Sequence, residues 1–406
     1  MVNCYAIRYM KVHVTHVWQR PKWKFKECWV LKNGNTQKLA IGLMSGTSLD
    51  GIDAALIKSD GVHVDRYGVP HNRPYSKSER KLLKKALNEA RLEGRPTHEN
   101  DHINHTEQLI TDLHIEVVRA LLLKNDLTST DIDVIGFHGQ TLLHDPDEGW
   151  SWQVGDGKRL AHELDISVVN DLRAYDVAHG GQGAPLVPVY HRSLLAGRDV
   201  NYPVGFLNFG GVANITWIGG DGPDDLIAFD TGPANALLDD WIRSQTDHIY
   251  DQDGMFSSRG TVDQNLIEKW MDNDYFKKPS PKSLDRDDFN VEDVKRLSLE
   301  DGAATLVAFS VSCVALASRH CPKAVNSWYV CGGGAHNPTV MTQLNDALGG
   351  TVEPVSALGF DGDYIEAEAF AYMAVRRVFD LPITFPGTTG ISKPSTGGVI
   401  NNPKRE

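Results

Sequence analysis

The residues best suited to chemistry lie between two short apolar segments near the start of the chain. Ser45–Gly51 contains two glycines, two serines, a threonine and the carboxylate of Asp50. Glycine lets the backbone approach a ligand closely, and hydroxyls and free N–H groups are good donors to phosphate. Asp50 could hold a metal ion between the protein and phosphate oxygens. The Walker spacing GxxxxGK[ST] is missing, and the alternative interpretation is an ordinary hairpin turn.

Polar side chains follow two other segments that are predicted to be buried strands. His138 and Gln140 follow the strand predicted over 133–137. Asp171, Arg173 and Asp176 follow the strand predicted over 166–169. Because open α/β sheets place ligand groups at the carboxyl ends of their strands, these side chains could hydrogen-bond a polar substrate. A capped turn explains the first pair equally well, and a surface cluster of ion pairs explains the others.

Asp230 occupies a position that suits a general base. It follows the strand predicted over 226–229 and precedes a helix predicted over 234–242, with Pro233 in the first turn of that helix. A general base must be held in a fixed position, because catalysis tolerates little displacement of the reacting group. The alternative role for Asp230 is to cap the helix.

The glycine-rich turn recurs twice further along the chain. Gly210–Gly211 joins strands predicted over 205–209 and 212–218, which repeats the first hairpin. Gly332–Gly334 follows a strand predicted over 328–331 and precedes a helix predicted over 338–348. Repetition of a glycine hairpin about one domain length apart predicts two related lobes that face each other across a cleft. Backbone amides at such turns can meet a nucleotide closely.

Further elements must position these turns. Helical spacing of apolar residues predicts helices over 76–91, 97–123, 305–318 and 364–379. The last of these carries Glu366 and Glu368 in its first turn, where acids favour the helix dipole. The polar, proline-containing residues 277–282 predict an exposed connection.

Composition narrows the class of protein. The chain has 406 residues, which predicts two or three domains, and its net charge of −12 argues against a nucleic-acid surface. It contains no run of 18 or more apolar residues, so no segment is expected to span a membrane. The cysteines form no CxxC pair and are odd in number, which suits a reducing compartment; they are Cys4, Cys28, Cys313, Cys321 and Cys331.

Residues 1–38 differ from the rest of the chain. They contain eight Lys or Arg, a single acid and three tryptophans. Interleaved basic and aromatic residues could bind a surface or a nucleic acid. Our expectation is instead a poorly ordered extension, or residues translated from upstream of the true start.

Seven motifs in one order resemble the anhydro-N-acetylmuramic acid kinase family of the sugar kinase/Hsp70/actin superfamily. They are MSGTSLDGID (44–53), GFHGQT (136–141), DVAHGGQGAPLVP (176–188), FGGVANIT (209–216), DTGPAN (230–235), VCGGGAHNP (330–338) and EAEAFA (366–371). The resemblance covers residues 39 to about 400. Its departures are Ala234, where the family often has glycine, and Leu172, where an aromatic residue is usual.

The resemblance implies an α/β, two-lobed actin-like ATPase fold, which is ribonuclease H-like, with a central interlobe cleft. Residues 1–38 would lie outside the fold as a basic extension. Residues 39–200 would form the first lobe and 201–360 the second. Residues 361–406 would form a C-terminal helix and tail that return to the first lobe.

The resemblance also implies a cytoplasmic enzyme of peptidoglycan recycling that uses ATP and Mg²⁺. Such an enzyme phosphorylates O6 of 1,6-anhydro-N-acetylmuramic acid while water opens the anhydro bridge at C1, which gives N-acetylmuramate 6-phosphate. The expected partners are this sugar and ATP, with no nucleic acid and no membrane, and a homodimer is left open.

The resemblance implies the roles of Asp230 and of Gly46–Asp53, and the other residues are our own candidates. The general base would be Asp230, with Asp176 or Asp171 as the next candidates, and Asp50 is the candidate metal ligand. The sugar would be held by His138, Gln140, Asp171, Arg173 and Glu366. ATP would be bound by Gly46, Thr47, Ser48, Leu49, Asp50, Gly51, Ile52, Asp53, Gly210, Gly211, Gly332, Gly333 and Gly334.

Two other functions remain compatible with the sequence. One is a different activity on the same fold, either a kinase of another sugar hydroxyl or an Hsp70-like ATPase. The other is a non-catalytic sugar sensor, which would be expected to have lost Asp50 or Asp230, and both are present.

Overall fold

The computed structural model describes residues 36–278, 282, 284 and 289–404. The predictions made for residues 1–35, including an extension that could bind a surface, lie outside the described residues. Residues 37–406 form one compact unit, and its first strand begins at Lys38. The division into lobes at 200 and 360 stays a prediction.

The described residues form twelve β-strands and eleven α-helices. The β-strands are β1 Lys38–Ser45, β2 Gly51–Ser59, β3 Val64–Pro74, β4 Val134–Asp145, β5 Trp150–Val154, β6 Val168–Asn170, β7 Val204–Phe209, β8 Val212–Ile218, β9 Leu226–Pro233, β10 Ser327–Cys331, β11 Thr351–Pro354 and β12 Val399–Asn401. The α-helices are α1 Lys77–Glu93, α2 Asp101–Lys124, α3 Gly157–Leu164, α4 Leu172–Ala178, α5 Pro188–Ser193, α6 Asn235–Gln245, α7 Gln264–Met271, α8 Leu299–Ser318, α9 Pro338–Ala347, α10 Ile365–Val378 and α11 Pro386–Thr389. Short 3₁₀ turns connect several of them, at Ser129–Asp131, Pro223–Asp225, Gln252–Gly254, Asp274–Lys277, Glu292–Arg296, Gly333–His336, Val355–Leu358 and Gly362–Tyr364.

The strands form two mixed sheets with the same core topology. The first has the order β12-β6-β4-β1-β2-β3, with β5 paired to β4, and the second has the order β11-β10-β7-β8-β9. In each sheet an antiparallel three-strand meander, β1–β2–β3 or β7–β8–β9, continues in parallel through two later strands, β4 and β6 or β10 and β11. This strand order, with its antiparallel second strand, is the ribonuclease H-like arrangement that the resemblance implied.

Helix α10 packs directly on the first sheet, and two glycines make that approach possible. A Cβ atom at Gly42 would lie 1.7 Å from the carbonyl oxygen of Ala367, and a Cβ at Gly136 would lie 2.0 Å from that of Phe370. Any larger residue at these two strand positions would push the helix away. The close packing fixes the first turn of α10, which carries Glu366, relative to the ends of β1 and β4.

Helix α8 is the core helix of the second sheet. Its apolar residues, such as Leu306 and Phe309, pack among buried residues that include Trp241 of α6 and Phe229 of β9. Among the described residues, α8 is also the one helix that is long and apolar enough to cross a membrane by length and composition.

Several predicted boundaries were wrong because strand partners extend the strands. The strand predicted to end at residue 137 continues to Asp145, since β5 pairs with its second half. His138 and Gln140 therefore lie inside β4. The strand predicted to end before Asp230 continues to Pro233, because β8 pairs along its whole length and Asn214 lies opposite Asp230.

Candidate active site

The turn between β1 and β2 presents polar groups on a fixed frame. Leu49 is buried, has the left-handed φ of 57°, and donates its N–H to Gly46 O at 3.2 Å. The side chains of Thr47, Ser48 and Asp50 are exposed around this buried anchor. Tyr75, which lies outside the turn, donates its N–H to the backbone oxygen of Asp50. The predicted hairpin is confirmed, and its exposed hydroxyls are available to a phosphate.

Gln140 lies beneath this turn. Its side chain is fully buried, and Nε2 donates to Gly46 O at 3.2 Å. Its Oε1 is buried with no hydrogen-bond partner among the described residues. Ser45 supports the same junction by donating its hydroxyl to Gly139 O at 2.8 Å. In this structure Gln140 therefore stabilises the turn, and its predicted contact with the sugar stays a prediction.

The turn between β7 and β8 is held by the start of α6. The N–H groups of Ala234 and Asn235 donate to Gly211 O at 3.0 Å and to Gly210 O at 2.9 Å. The side chain of Asn235 also donates to Phe209 O at 2.8 Å. With both glycine carbonyls engaged on the helix side, the turn is a rigid loop that could bind a second part of a phosphate chain.

The triple-glycine turn packs against the end of β7. Gly332 has a φ of 78°, and a Cβ there would lie 2.4 Å from Asn208 Oδ1. A Cβ at Gly334 would lie 2.3 Å from the ring of Phe209. Glycine is required here because the backbone conformation is left-handed and the neighbouring strand is in contact. The two glycine turns of the second sheet are consequently adjacent.

Sequence reasoning missed the residues that hold the helix after the triple-glycine turn. Asn337 caps α9 by accepting the N–H of Thr339 at 3.0 Å, and its Nδ2 donates to Asp251 Oδ2 at 3.1 Å. Asp251 is buried and also accepts the N–H of Phe256 at 2.8 Å. The cap was recognisable as Asn-Pro before a helix, but the distant Asp251 was not.

Asp230 is held on β9 and does not cap a helix. The N-cap of α6 is Ala234, so the capping role considered for Asp230 is excluded. Leu284 N–H donates to Asp230 Oδ2 at 2.9 Å. Burial raises the pKa of the Asp230 carboxyl to about 7, against the opposing effects of the Leu284 hydrogen bond and of the charges on Arg173 and Lys282. A carboxyl with a pKa near neutrality can gain and lose a proton at physiological pH, as a general base must.

Arg173 connects the polar residues of the two sheets. Burial lowers the pKa of its guanidinium, and the charges of Glu366, Asp230 and Asp176 oppose this effect. Nη1 donates to Gly183 O at 2.9 Å, and Nε donates to His138 Nε2 at 3.0 Å. The surface ion-pair cluster considered from the sequence is therefore wrong for Arg173.

His138 orients Arg173 in this structure. Its Nδ1 donates to Gly139 O at 2.7 Å, so Nε2 is the nitrogen that accepts from Arg173. Burial, assisted by the charge on Arg173, lowers the pKa of His138 to about 3, and the ring is neutral. With both ring nitrogens engaged inside the protein, its predicted contact with the sugar stays a prediction.

Glu366, predicted by default to favour the helix dipole, does lie in the first turn of α10, and it also faces the site. Asn208 Nδ2 donates to Glu366 Oε1 at 3.4 Å, which joins α10 to β7 of the second sheet. Burial raises the pKa of Glu366, and the charge on Arg173 opposes that rise. Glu368 points elsewhere: it is buried and accepts from Arg66 at 2.5 Å and from the Tyr190 hydroxyl at 2.7 Å.

The other two acids of the predicted cluster have different surroundings. Asp176 is buried and accepts from Gly183 N–H at 2.8 Å and from the Thr389 hydroxyl at 2.9 Å. It therefore holds the glycine-rich loop against α11. Asp171 is exposed at the start of α4, with a φ of 55°. Its pKa is raised by desolvation and by the nearby Glu107.

Carboxylates beside the first turn could hold a cation jointly with phosphate. Asp50 is exposed, and the Arg80 guanidinium lies 3.8 Å from its Oδ1. Asp53 lies on β2, where burial raises its pKa, as do the nearby charges of Asp363 and Asp50. No group of three or more His, Cys, Asp or Glu among residues 36–278, 282, 284 and 289–404 could hold a metal by itself.

A cavity of about 380 Å³ adjoins the triple-glycine turn. Gly332, Ala335 and His336 line one side, and residues 355–362 line another, with Arg66 of the first sheet at its edge. Its position beside the triple-glycine turn is consistent with a nucleoside bound there.

The ribonuclease H-like strand order of both sheets, their glycine turns and the polar cluster around Arg173 define an ATP-dependent kinase of the actin-like superfamily. The chain matches the family model "Anhydro-N-acetylmuramic acid kinase" over residues 38–403. It belongs to the anhydro-N-acetylmuramic acid kinase family.

Two bacterial relatives match over all or nearly all of their length. The chain is 52% identical to the anhydro-N-acetylmuramic acid kinase of Rhizorhabdus wittichii over 368 residues, covering 91% of this chain and 100% of the relative. It is 48% identical to that of Zymomonas mobilis subsp. mobilis, covering 89% of this chain and 99% of the relative.

Solved structures with similar folds are more distant. The (R)-2-hydroxyglutaryl-CoA dehydratase component A of Acidaminococcus fermentans has a TM-score of 0.46 and 11% identity, covering 84% of this chain and 99% of that one. A ROK family glucokinase from Streptomyces griseus, in complex with glucose and AMPPNP, has a TM-score of 0.34 and 12% identity, covering 83% and 99%. The fold class is defined by the strand order of the two sheets and does not depend on these two structures.

Proposed function

We propose that this chain uses ATP to phosphorylate O6 of 1,6-anhydro-N-acetylmuramic acid while water opens the anhydro ring at C1. The product is N-acetylmuramate 6-phosphate, an intermediate of peptidoglycan recycling. The chain matches the kinase family over most of its length, and this membership supports the activity. The observation that supports the chemistry is the partly buried Asp230, whose pKa of about 7, set by burial against the charge on the nearby Arg173, suits a base that activates water.

In the proposed reaction a water oxygen bonds to C1, and the proton of that water passes to the Asp230 carboxylate. The C1–O6 bond breaks as O6 takes the γ-phosphoryl group, and ADP leaves. Asp230 must be ionised to accept the proton, and Arg173 favours that ionised form. Arg173 and Glu366 are assigned to hold the sugar, because they form the charged part of the site beside Asp230.

The phosphates of ATP are assigned to the two hairpin turns, Gly46–Asp53 and Gly210–Gly211, and the adenosine to Gly332–Gly334. Exposed hydroxyls on the first turn and backbone amides on the second can neutralise phosphate charge. This assignment requires both turns to face the same nucleotide, as the shared topology of the two sheets suggests.

Mg²⁺ is the proposed metal, and Asp50 and Asp53 are the residues that would hold it. Magnesium in such sites keeps several waters and takes one or two carboxylates together with phosphate oxygens, which fits this donor set. The raised pKa of Asp53 beside Asp50 and Asp363 is the observation in favour, because a cation would relieve that repulsion. When bound, the metal neutralises charge on the phosphate chain.

The test is incubation with ATP, Mg²⁺ and anhydro-N-acetylmuramic acid in ¹⁸O-water, followed by mass spectrometry of the products. We expect one ¹⁸O atom on C1 of the sugar phosphate and none in its phosphate group. Labelled inorganic phosphate without sugar phosphate would indicate an ATPase, and transfer to N-acetylglucosamine would indicate a different sugar kinase. Cytoplasmic location and the absence of membrane and nucleic-acid partners stay predictions.

A further inference from the structure

We propose that Tyr275, Lys282 and Leu284, here called the Asp230 clamp, are positioning residues that fix the Asp230 carboxylate and favour its ionised form. The inference rests on the proposed role of Asp230 as the base. Residues 277–282 were predicted to be an exposed connection, and that prediction is wrong for Lys282, whose side chain is buried.

The clamp residues form hydrogen bonds with both the backbone and the carboxylate of Asp230. The backbone N–H of Asp230 donates to Lys282 O at 3.0 Å. The Tyr275 hydroxyl donates to the backbone oxygen of Asp230 at 2.7 Å, and Leu284 N–H donates to Oδ2 at 2.9 Å. Because Leu284 engages Oδ2, we assign Oδ1 as the atom that receives the proton. The strand partner of β9 alone would fix the backbone but not the carboxylate.

The clamp is itself held in place. Tyr275 is 6% exposed, and its ring packs edge-on against Phe276 and Phe289. The ammonium of Lys282 lies 4.3 Å from the centre of the Tyr275 ring and donates to Tyr275 O at 3.1 Å. A buried ammonium is costly unless its charge acts on an acid nearby. The charges of Lys282 and Asp230 act on each other, so Asp230 is such an acid.

The charges around Asp230 set the sign of the expected effect. Arg173 from α4 and Lys282 from the clamp both favour the carboxylate and so lower the pKa of Asp230, against the effect of burial. Among the residues that the structure describes, Lys278 and the Cys313 thiol of α8 also act on the charge of Lys282. Removal of the Lys282 charge must therefore raise the pKa of Asp230, which leaves less of the base ionised at a given pH.

Tyr275→Phe tests the positioning role, because it keeps the packed ring and removes the hydrogen bond to Asp230. We expect kcat to fall by about tenfold, since small displacements of a catalytic group are costly, with KM for sugar and ATP changed by less than about twofold. Tyr202→Phe is the matched control, because it removes a tyrosine hydroxyl that donates to the exposed Asp221. Unchanged kcat in Tyr275→Phe would overturn the positioning role.

Lys282→Met tests the electrostatic role through the pH dependence of kcat/KM. We expect the acidic limb of the profile to move up by about half a pH unit, and Lys282→Arg to restore it. Lys295→Met is the matched control, because this exposed lysine pairs with Glu292. An acidic limb at the wild-type position in Lys282→Met would overturn the electrostatic role.

Different results would contradict the proposed function and the proposed role of the Asp230 clamp. If the wild-type chain does not make sugar phosphate, the proposed function fails. If the wild-type chain is active and Asp230→Asn is inactive, but both clamp variants keep the wild-type kcat and pH profile, the clamp fails and the function stands. Thermal unfolding of each variant shows whether a loss of rate reflects a loss of folded protein.

Discussion

Replacing Asp230 with Asn removes the proposed base with little change in shape. Asn keeps a side-chain oxygen that can accept the Leu284 N–H, which donates to Asp230 Oδ2 at 2.9 Å. It cannot take a proton from water. We therefore expect Asp230→Asn to bind ATP as the wild type does and to lose sugar phosphorylation by a factor of about 10² to 10⁴.

The pKa of Asp230 adds a second quantity to this prediction. The base acts as a carboxylate, so activity rises with pH through its pKa of about 7. The ionised fraction then increases roughly tenfold between pH 6 and pH 8, and kcat/KM of the wild type should follow it. The residual activity of Asp230→Asn should lose this acidic limb.

The assay is ADP release in the presence of anhydro-N-acetylmuramic acid, measured from pH 5.5 to 8.5, with ATP binding measured separately by calorimetry. Folding raises the pKa of Asp230 from 3.8 to about 7. The folded protein therefore loses stability as the pH rises between these two values, because the buried carboxyl must ionise. Asn carries no such cost, so the melting temperature of Asp230→Asn at pH 8 should not be lower than that of the wild type. Near-wild-type turnover in a folded Asp230→Asn protein would refute the reasoning and move the base to Asp176 or Asp171.

Three further predictions concern charge, packing and closure. Arg173→Met should raise KM for the sugar and move the acidic limb of kcat/KM to higher pH, because the charge on Arg173 lowers the pKa of Asp230; steady-state kinetics across pH would show an unmoved limb if this is incorrect. Gly42→Ala should lower the free energy of unfolding by about 3 kcal/mol in urea titration, since its Cβ would meet Ala367 O. Gly349→Ala, where a Cβ meets nothing within 4 Å, is the control, and equal stability of the two variants would contradict the packing argument. Nucleotide and sugar together should reduce the radius of gyration in small-angle scattering as the lobes close, and an unchanged curve would argue against closure.

The sequence by itself determined the local features of this protein. Glycine and hydroxyl residues between apolar segments predicted the hairpin at Ser45–Gly51, because turn chemistry depends on neighbouring residues. The spacing of apolar residues predicted α8 and α10 for the same reason, although the start of α8 was placed six residues too late. The fold class and the activity were predicted from the family motifs.

Only the tertiary structure decided which polar groups meet. His138 orients Arg173, Gln140 lies beneath the first turn, and Lys282 is buried beside Asp230, although the residues that each contacts are distant in sequence or on another strand. No local pattern encodes such pairs, because they depend on strand register and on the packing of segments far apart in the chain. Burial has the same origin, and it is burial that raises the pKa of Asp230 to about 7 and makes an ordinary carboxylate suitable as a base.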